Sequence, residues 1–337
     1  GPSPPRPGPR RRCAAAVRTA ARCEETLSTG TGSSWGAVKF GGGADEFHAA
    51  YEVEEEIGRG TYGVVARVRH RQTRELRAMK RVRAAAPRRT FADASPVGEV
   101  GALARLDHPN VARLIEHYAT QDEVLLVQEL CSGTSLEARL HKTGRMAAEE
   151  AAAVMRQMLE AVNHCHKQHV IHRDLKADNF VFESEESEAA VKLIDFGLAD
   201  RCEMGQFLDV RGGTIEYSAP EVLGHNGAGF GLPADLWALG AVLFLMLTGE
   251  PLIQVENPRS PDEVVRQMLR QEAREKVCGP RYVRLRLQAV SMRIPLPALD
   301  LLESLLARDP EKRMTAAEAL RHPFVQGEGC ARPLGAQ

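Results

Sequence analysis

The chain has 337 residues, a formal net charge of −1, and 43% hydrophobic residues. This composition is typical of a folded globular protein and excludes general disorder. So balanced a charge excludes a protein that coats nucleic acid or membranes along its whole length. The longest strongly apolar run, 236–247, is shorter than the roughly 20 residues that a membrane span needs. The seven scattered cysteines form no C-x-x-C pair, so we expect a reducing, cytoplasmic location without structural zinc or disulfides.

Residues 1–49 differ in composition from the rest of the chain. They are rich in Pro, Gly, Ser and Thr, and an acid-poor stretch at 6–22 carries several arginines. Such a segment buries too little apolar surface to fold, so we predict a disordered tail, with a second short tail at 326–337. The arginines leave two further interpretations open, a targeting segment and an adaptor for nucleic acid. A solvated linker is the interpretation that we favour, and no nucleic-acid partner is expected.

The pattern changes at residue 51. Short β-rich runs bounded by Gly or polar residues predict strands at 64–69, 76–82, 113–118 and 124–130. The run 95–106 has helical spacing, with Val100, Leu103 and Leu106 on one face. Further helices are predicted at 147–167, 236–247, 262–275, 298–307 and 316–320. A strand-rich part followed by a helix-rich part predicts an α+β protein with two lobes, 50–130 and 131–325.

The first chemical motif is G-x-G-x-x-G-x-V, formed by residues 58–65. Glycines allow the backbone to approach phosphate oxygens because no Cβ intervenes. A dinucleotide-binding unit would need a helix directly after the glycines and an acid about 20 residues on. Here a second predicted strand follows, and Lys80 lies near that distance. The loop is therefore either a Gly-rich hairpin without a ligand or, with Lys80, a site for phosphates.

Further motifs follow in the helical part. Residues 172–179 read His-Arg-Asp-Leu-Lys-Ala-Asp-Asn, and Asp195-Phe196-Gly197 begins 21 residues after Asp174. The tripeptide alone is a common turn sequence, but this octamer and this spacing together seldom arise by chance. Residues 213–221 then read Gly-Thr-Ile-Glu-Tyr-Ser-Ala-Pro-Glu, before Asp235-Leu236-Trp237 and Arg313.

In this order the motifs resemble those of the eukaryotic protein kinase domain, over about residues 51–325. The resemblance implies a bilobal fold, with a small β-rich N-lobe that carries one main helix and a larger helical C-lobe. It implies ATP and Mg²⁺ as cofactors and Ser/Thr-containing proteins as substrates. Lys176, two residues after Asp174, and the pair Gly213-Thr214 resemble Ser/Thr kinases, whereas tyrosine kinases differ at these positions.

The resemblance also assigns catalytic roles. Phosphoryl transfer requires neutralised phosphate charge and an oriented nucleophile. Lys80 is expected to contact the α- and β-phosphates and to pair with Glu99, the only carboxylate between Asp93 and Asp107. Asp174 is expected to orient the substrate hydroxyl and accept its proton. Lys176 is expected to neutralise charge beside the transferred group.

The resemblance assigns the cofactor contacts as well. Asn179 and Asp195 are expected to bind Mg²⁺, which prefers oxygen ligands. Gln128 stands at the gatekeeper position beside the adenine pocket. The residues expected to contact the nucleotide, besides Lys80, are Ile57, Gly58, Gly60, Gly63, Val65, Ala78, Glu129 and Cys131.

Structural roles are implied for three more residues. Glu221 and Arg313 resemble the buried ion pair of the family, and Asp235 is expected to brace the catalytic loop. The histidines at 164, 166, 169 and 172 raise the alternative of a metal site. However, His164 and His166 are two apart on a predicted helix and do not face each other.

Several stretches most resemble the calcium/calmodulin-dependent group and the calcium-dependent protein kinases of plants and protists. They are 106–111, 161–166, 179–182, 191–197, 309–313 and 322–324. The sequence contains no EF-hand loop pattern, so either the chain is a fragment of a longer kinase or it relies on a separate calcium sensor or other regulatory partner. Ser135 stands where basophilic relatives usually carry Glu, which leaves a preference for upstream Arg open.

Activation is expected to differ from the common pattern, in which Arg173 is held by a phosphate on the activation loop. No Ser, Thr or Tyr lies between Phe196 and Gly213, whereas the loop carries Asp200, Glu203 and Asp209. We predict that Glu203 or Asp209 pairs with Arg173 and makes the domain competent without loop phosphorylation. The alternative function is a silent pseudokinase scaffold, which the retained Lys, Asp and Asn residues disfavour.

Overall fold

The computed structural model describes residues 39–41, 43–60, 63–83, 96–120, 123–186, 189–206, 208, 212–223, 229–253, 280–289 and 293–329. The chain divides into two compact units. Unit 1 comprises the residues up to Asp107 together with Ala112–Cys131, and unit 2 comprises His108–Val111 and the residues from Ser132 onward. Across these described ranges, no helix combines the length and the apolar character needed to cross a membrane.

Unit 1 is built on a β-sheet that has six strands among the described residues. Neighbouring strands run antiparallel, except that β1 and β5 are parallel. The spatial order is β1-β5-β6-β4-β3-β2. The strands are β1 (Lys39–Gly41), β2 (Tyr51–Gly60), β3 (Gly63–His70), β4 (Leu76–Arg83), β5 (Leu114–Ala119) and β6 (Glu123–Glu129).

Two helices accompany this sheet in the described part of unit 1, α1 (Ala44–Ala50) and α2 (Pro96–Leu103). The predicted apolar face of α2 is confirmed, because Val100, Leu103 and the following Leu106 are all buried. Helix α1 was not expected. It lies in the predicted disordered tail, yet Phe47 is fully buried. The tail prediction is therefore wrong for β1 and α1, and residues 1–38 lie outside the described ranges.

The two faces of the sheet carry different chemistry, because side chains alternate along a strand. Met79 is buried in an apolar cluster on one face, so the next residue, Lys80, points to the other. Val65 is the register partner of Lys80, and Ala78 is that of Gln128, so these residues share the Lys80 face. We call the opposite set the Phe47 cluster: Phe47, Tyr51, Ala66, Val68, Met79, Tyr118, Leu125 and Val127.

Unit 2 is mainly helical in its described residues. Helix α6 (Pro233–Thr248) is buried from Ala234 to Thr248, as its continuous apolar sequence predicts. Helix α4 (Ala148–Lys167) and helix α8 (Leu296–Leu305) pack against it. The other helices are α3 (Leu136–Thr143), α5 (Pro220–Leu223), α7 (Pro280–Ala289) and α9 (Ala316–Ala319), and the strands are β7 (Val170–Ile171), β8 (Phe180–Phe182), β9 (Val191–Leu193) and β10 (Asp200–Arg201).

Helix α3 is among the elements of unit 2 that were not predicted from the sequence, and one predicted helix lies outside the described residues. Helix α3 was not predicted because it buries only Leu136 and Leu140, one turn apart. Ser135 caps it, its hydroxyl accepting a hydrogen bond from the Ala138 amide at 3.1 Å. The predicted helix 262–275 lies outside the described residues. The α+β prediction, with a β-sheet unit followed by a helical unit, is confirmed.

Candidate active site

A buried ion pair joins the predicted catalytic lysine of unit 1 to its helix. Lys80 Nζ lies 2.6 Å from Glu99 Oε1, and the side chains are only 7% and 1% exposed. Lys80 extends from β4 and Glu99 from the first turn of α2. Removing one partner of such a pair leaves an uncompensated buried charge, which costs about 3–5 kcal/mol. The pair therefore fixes the position of the Lys80 ammonium group.

The glycine motif lies at the turn between β2 and β3. Gly58 stands opposite Val65 and Gly60 opposite Gly63, while residues 61 and 62 are outside the described ranges. Gly63 approaches β4 so closely that a Cβ there would overlap the carbonyl oxygen of Arg81. At Gly58 a Cβ would make only an ordinary contact, 3.9 Å from Val65 Cβ. Gly63 is therefore needed by the sheet itself, whereas Gly58 is free to serve a ligand.

Exchange of these glycines is expected to separate folding from nucleotide binding. Gly63→Ala is expected to lower the free energy of unfolding by about 1–3 kcal/mol, because backbone must move to relieve the overlap. Gly58→Ala is expected to change it by less than about 0.5 kcal/mol and to act on ATP affinity instead. Urea unfolding and nucleotide titration of both variants test this. Equal stability losses would contradict the assignment.

The predicted adenine-pocket residues lie on or beside the Lys80 face of the sheet. Val65 and Ala78 share that face with Lys80, as described above. Ile57, near the end of β2, is 46% exposed, so its side chain is accessible to a ligand. Glu129 ends β6 and Cys131 ends unit 1.

The catalytic loop of unit 2 is held by a buried carboxylate. Asp235, in the first turn of α6, accepts hydrogen bonds from the backbone amides of His172 (2.9 Å) and Arg173 (3.0 Å). It also pairs with His166 Nε2 at 2.9 Å. Burial raises the pKa of the Asp235 carboxyl, but the bonds from His166 and the backbone outweigh it, so the pKa lies below the usual value. The predicted bracing role of Asp235 is confirmed.

Asp174 lies in a network of three polar side chains. Its Oδ1 accepts hydrogen bonds from the backbone amide and the hydroxyl of Thr214, both at 2.8 Å. Its Oδ2 lies 3.3 Å from Lys176 Nζ, which also donates to the Thr214 hydroxyl at 3.1 Å. One carboxylate oxygen is thus saturated by Thr214, and the other faces the lysine.

Thr214 is a site residue whose contact with Asp174 the sequence alone did not reveal. The signal available was its glycine neighbour, because Gly213 has φ +101°, a left-handed conformation that favours glycine. A Cβ on Gly213 would lie 2.5 Å from the Arg173 carbonyl oxygen. The Gly-Thr pair therefore lets the chain pass directly over the catalytic loop and place the hydroxyl on Asp174.

Asn179 and Asp195 are brought together by a small β-ribbon. Strand β8 pairs with β9, with Phe180 opposite Leu193, and the ladder continues as the Ile194 amide donates to the Asn179 carbonyl at 2.9 Å. The preceding Asn179 and the following Asp195 therefore lie at the same end of this ribbon.

The donor set at this end fits a hard cation. Asn179 Nδ2 donates to the Asp174 carbonyl at 2.7 Å, which leaves its Oδ1 as the atom for a cation. Asp195 adds a carboxylate. Its φ of +60° is strained for a non-glycine residue, a feature that clusters at functional sites. Two oxygen donors of this kind suit Mg²⁺.

Among the described residues of the activation loop, the acid that pairs with Arg173 is Asp200. Arg173 Nη1 lies 3.6 Å from Asp200 Oδ2. Glu203 instead contacts Arg201 at 2.7 Å and His169 at 3.0 Å, and the hydrogen bond from Arg201 lowers its pKa. The prediction that Glu203 pairs with Arg173 is therefore wrong, and Asp209 lies outside the described residues.

A second buried ion pair anchors the end of the activation segment. Arg313 Nη1 lies 2.7 Å from Glu221 Oε1, and the arginine side chain is fully buried. The same guanidinium donates to the carbonyls of Pro233 and Ala307. The predicted Glu221–Arg313 pair is confirmed, and it ties α5 to the start of α6.

Comparisons with known proteins agree on one family. The sequence model of the family described as "Protein kinase domain" matches residues 51–325. Sperm motility kinase 2B of Mus musculus is 37% identical over 287 residues, covering 85% of this chain and 54% of that protein. Calcium/calmodulin-dependent protein kinase type IV of Homo sapiens is 32% identical over 289 residues, covering 86% of this chain and 57% of that protein. The chain thus spans about half the length of these curated relatives.

Proposed function

Because the chain belongs to the protein kinase domain family, we propose that it transfers the γ-phosphoryl group of ATP to Ser or Thr hydroxyls of protein substrates. The observation that carries this proposal is the network of Asp174, Lys176 and Thr214. It places a carboxylate, a cation and a bracing hydroxyl at one point. This arrangement is what transfer to an alcohol requires.

The two oxygens of Asp174 have different roles in this proposal. Oδ1 is occupied by Thr214, so Oδ2 is the atom that receives the proton of the substrate hydroxyl. Lys176, 3.3 Å from Oδ2, supplies positive charge where the transferred group gains negative charge. Thr214 keeps the carboxylate from rotating. These roles explain why a lysine, Lys176, stands two positions after Asp174.

The cofactor roles follow from the donor atoms described above. Lys80, held by Glu99, neutralises phosphate oxygens of ATP. Asn179 and Asp195 hold Mg²⁺, which when bound supplies positive charge beside the phosphates and orients them. The nucleotide base lies against the Lys80 face of the sheet in unit 1. Binding of ATP without Mg²⁺ is therefore expected to be weak.

We further propose that the domain is active without phosphorylation of its activation loop. Asp200 supports this because it provides a fixed negative charge at Arg173, whose side chain is 6% exposed. The loop offers no hydroxyl between residues 197 and 213 that could carry a phosphate. A carboxylate carries one negative charge, whereas a phosphate carries roughly 1.5–2. Asp200 therefore supplies only part of the charge of a phosphate, but this charge is always present.

The whole proposal is tested with the full chain expressed in bacteria and treated with phosphatase. We expect ATP- and Mg²⁺-dependent phosphorylation of a Ser/Thr peptide, with no loss after dephosphorylation. Asp200→Asn is expected to lower kcat several-fold, whereas Glu203→Gln, the matched loop control, is expected to leave it unchanged. No transfer by any preparation would support a silent scaffold, and activity lost on dephosphorylation would refute the role of Asp200.

We also propose a cytoplasmic location for the protein and regulation by a partner. Cys131, Cys165 and Cys202 form no disulfide with one another, which suits the reducing cytoplasm. One relative is named for dependence on calcium and calmodulin, and we extend to this chain a regulatory partner such as a separate calcium sensor. Addition of Ca²⁺ and calmodulin to the kinase assay tests this extension directly.

A further inference from the structure

A segment before the matched kinase region is built into unit 1. We call this segment, residues 39–41 and 43–50, the N-terminal strap. The family model begins only at residue 51, so the strap lies outside it. Strand β1 extends the sheet by pairing with the edge strand β5, and α1 packs on β2 and β5. The strap therefore covers an edge that would otherwise present unpaired backbone groups.

Two sets of contacts hold the N-terminal strap in place, one at Phe47 and one at the carboxyl end of α1. Phe47 is fully buried, stacks on Tyr51 with ring centroids 5.5 Å apart and meets Tyr118 edge-on at 5.4 Å. Arg71 holds the carboxyl end of α1, where carbonyls lack helical partners. Its amide donates to the Ala50 carbonyl at 2.8 Å, and its Nε donates to the His48 carbonyl at 3.0 Å.

Phe47 packs in the same apolar cluster as a residue of β4, the strand that carries Lys80. The Phe47 cluster includes Met79, the neighbour of Lys80 on β4. Because consecutive side chains point to opposite faces, β4 is packed by the Phe47 cluster on one face and holds Lys80 on the other. On the other side, α2 with Glu99 packs beside β5, the strand that pairs with the strap. Both partners of the Lys80–Glu99 pair therefore rest on strands that the strap supports.

We propose that Phe47 is a positioning residue for phosphotransfer, acting through the strap on the Lys80–Glu99 pair. The inference rests on the proposed function of those two residues. Loosening of the strap leaves unit 2 and its peptide-contacting residues unchanged, but it lets β4 and β5 shift against α2. The catalytic domain of this chain therefore includes the N-terminal strap, which precedes the matched region.

The first arm of the test measures hydrogen exchange on the full chain without any substrate. Phe47→Leu loses the ring contacts with His48, Tyr51 and Tyr118 but keeps an apolar side chain, so the variant is expected to fold. We expect amide exchange in β4, β5 and α2 to rise by about tenfold, with no change in α6. Ala49→Gln, an exposed position on the same helix, is the control and is expected to match the parent chain. Unchanged exchange in β4 and β5, or an equal rise in α6, overturns the proposal.

The second arm measures kinetics with the same variants. Phe47→Leu is expected to lower kcat by about three- to tenfold while KM for the peptide stays constant, because only the lysine pair is misplaced. A general loss of structure would instead lower the active fraction and the exchange protection of α6 together. If the exchange changes but kcat does not, the positioning role is refuted. If the parent chain itself transfers no phosphate, the proposed function fails, and the exchange arm still decides whether the strap supports β4.

Discussion

Replacement of Asp174 by Asn is expected to lower kcat for peptide phosphorylation by about 10²–10⁴-fold, the range for positioned acid–base groups. The amide cannot accept the hydroxyl proton at Oδ2, although it can still accept the two Thr214 bonds at Oδ1. The fold is therefore expected to survive. The measurement is steady-state kinetics together with thermal unfolding.

Asp195→Asn is a second variant in the same experiment. Asn tolerates the positive φ that Asp195 adopts, so it removes the negative charge without adding backbone strain, as Ala would. A similar loss of kcat, accompanied by a higher requirement for Mg²⁺, is expected. Glu185→Gln, an exposed acid of unit 2, serves as the control. Near-parental kcat in either aspartate variant would contradict the assigned site.

Replacement of Asp235 by Asn is expected to cost about 3–5 kcal/mol of unfolding free energy. All three partners of this carboxylate, the amides of His172 and Arg173 and the His166 ring, donate to it. An amide offers only one oxygen, so its NH₂ group must face a buried donor. Urea unfolding at neutral pH is the measurement, and kcat is expected to fall with it because the catalytic loop loses its brace.

The matched control for this variant is Asp300→Asn. Asp300 also pairs with a histidine, His322 at 3.0 Å, but its side chain is 75% exposed. Exposed pairs are worth less than about 1 kcal/mol, so this variant is expected to be nearly neutral. Equal losses in the two variants would show that burial of Asp235 is not the decisive factor.

Asp235 is also expected to make the stability of the fold depend on pH in the acidic range. The pKa of Asp235 in the folded chain lies below its ordinary value of 3.8. Its contribution to stability is therefore complete above that ordinary pKa and is lost as the pH falls through the lower folded value. Unfolding measured between neutral pH and about pH 3 is expected to show this loss in the parent chain. In Asp235→Asn the corresponding part of the pH dependence is expected to be absent.

The sequence predicted the parts of the site that lie close together along the chain. Residues 172–179 already contain Asp174, Lys176 and Asn179, and the structure keeps all three in one loop. The four strands predicted between residues 64 and 130 and the helices α4 and α6 also lie within a few residues of their observed positions, whereas β1 and β2 were not predicted. Short-range patterns suffice here because neighbouring residues share one backbone path.

Contacts between distant residues depended on the tertiary structure. Within the described part of the activation loop, Asp200 is the acid near Arg173, since β10 pairs with β7 and sets Asp200 opposite Ile171, beside the catalytic loop. Glu203 follows that strand and lies beside His169 instead. The sequence argument noted both acids but favoured Glu203 over Asp200 as the partner of Arg173. Only the register of two short strands separates them, and residue type does not encode that register.

The expected chemistry could be inferred from the sequence, because the motifs 58–65, 172–179 and 195–197 in this order resemble those of the protein kinase domain. The tertiary structure alone decided the role of Thr214, which meets Asp174 across 40 positions, and of Phe47, which lies in a stretch of polar and small residues. A single aromatic residue in such a stretch carries no periodic signal. Its burial depends on a pocket formed by strands far along the chain, and only the folded unit 1 supplies that pocket.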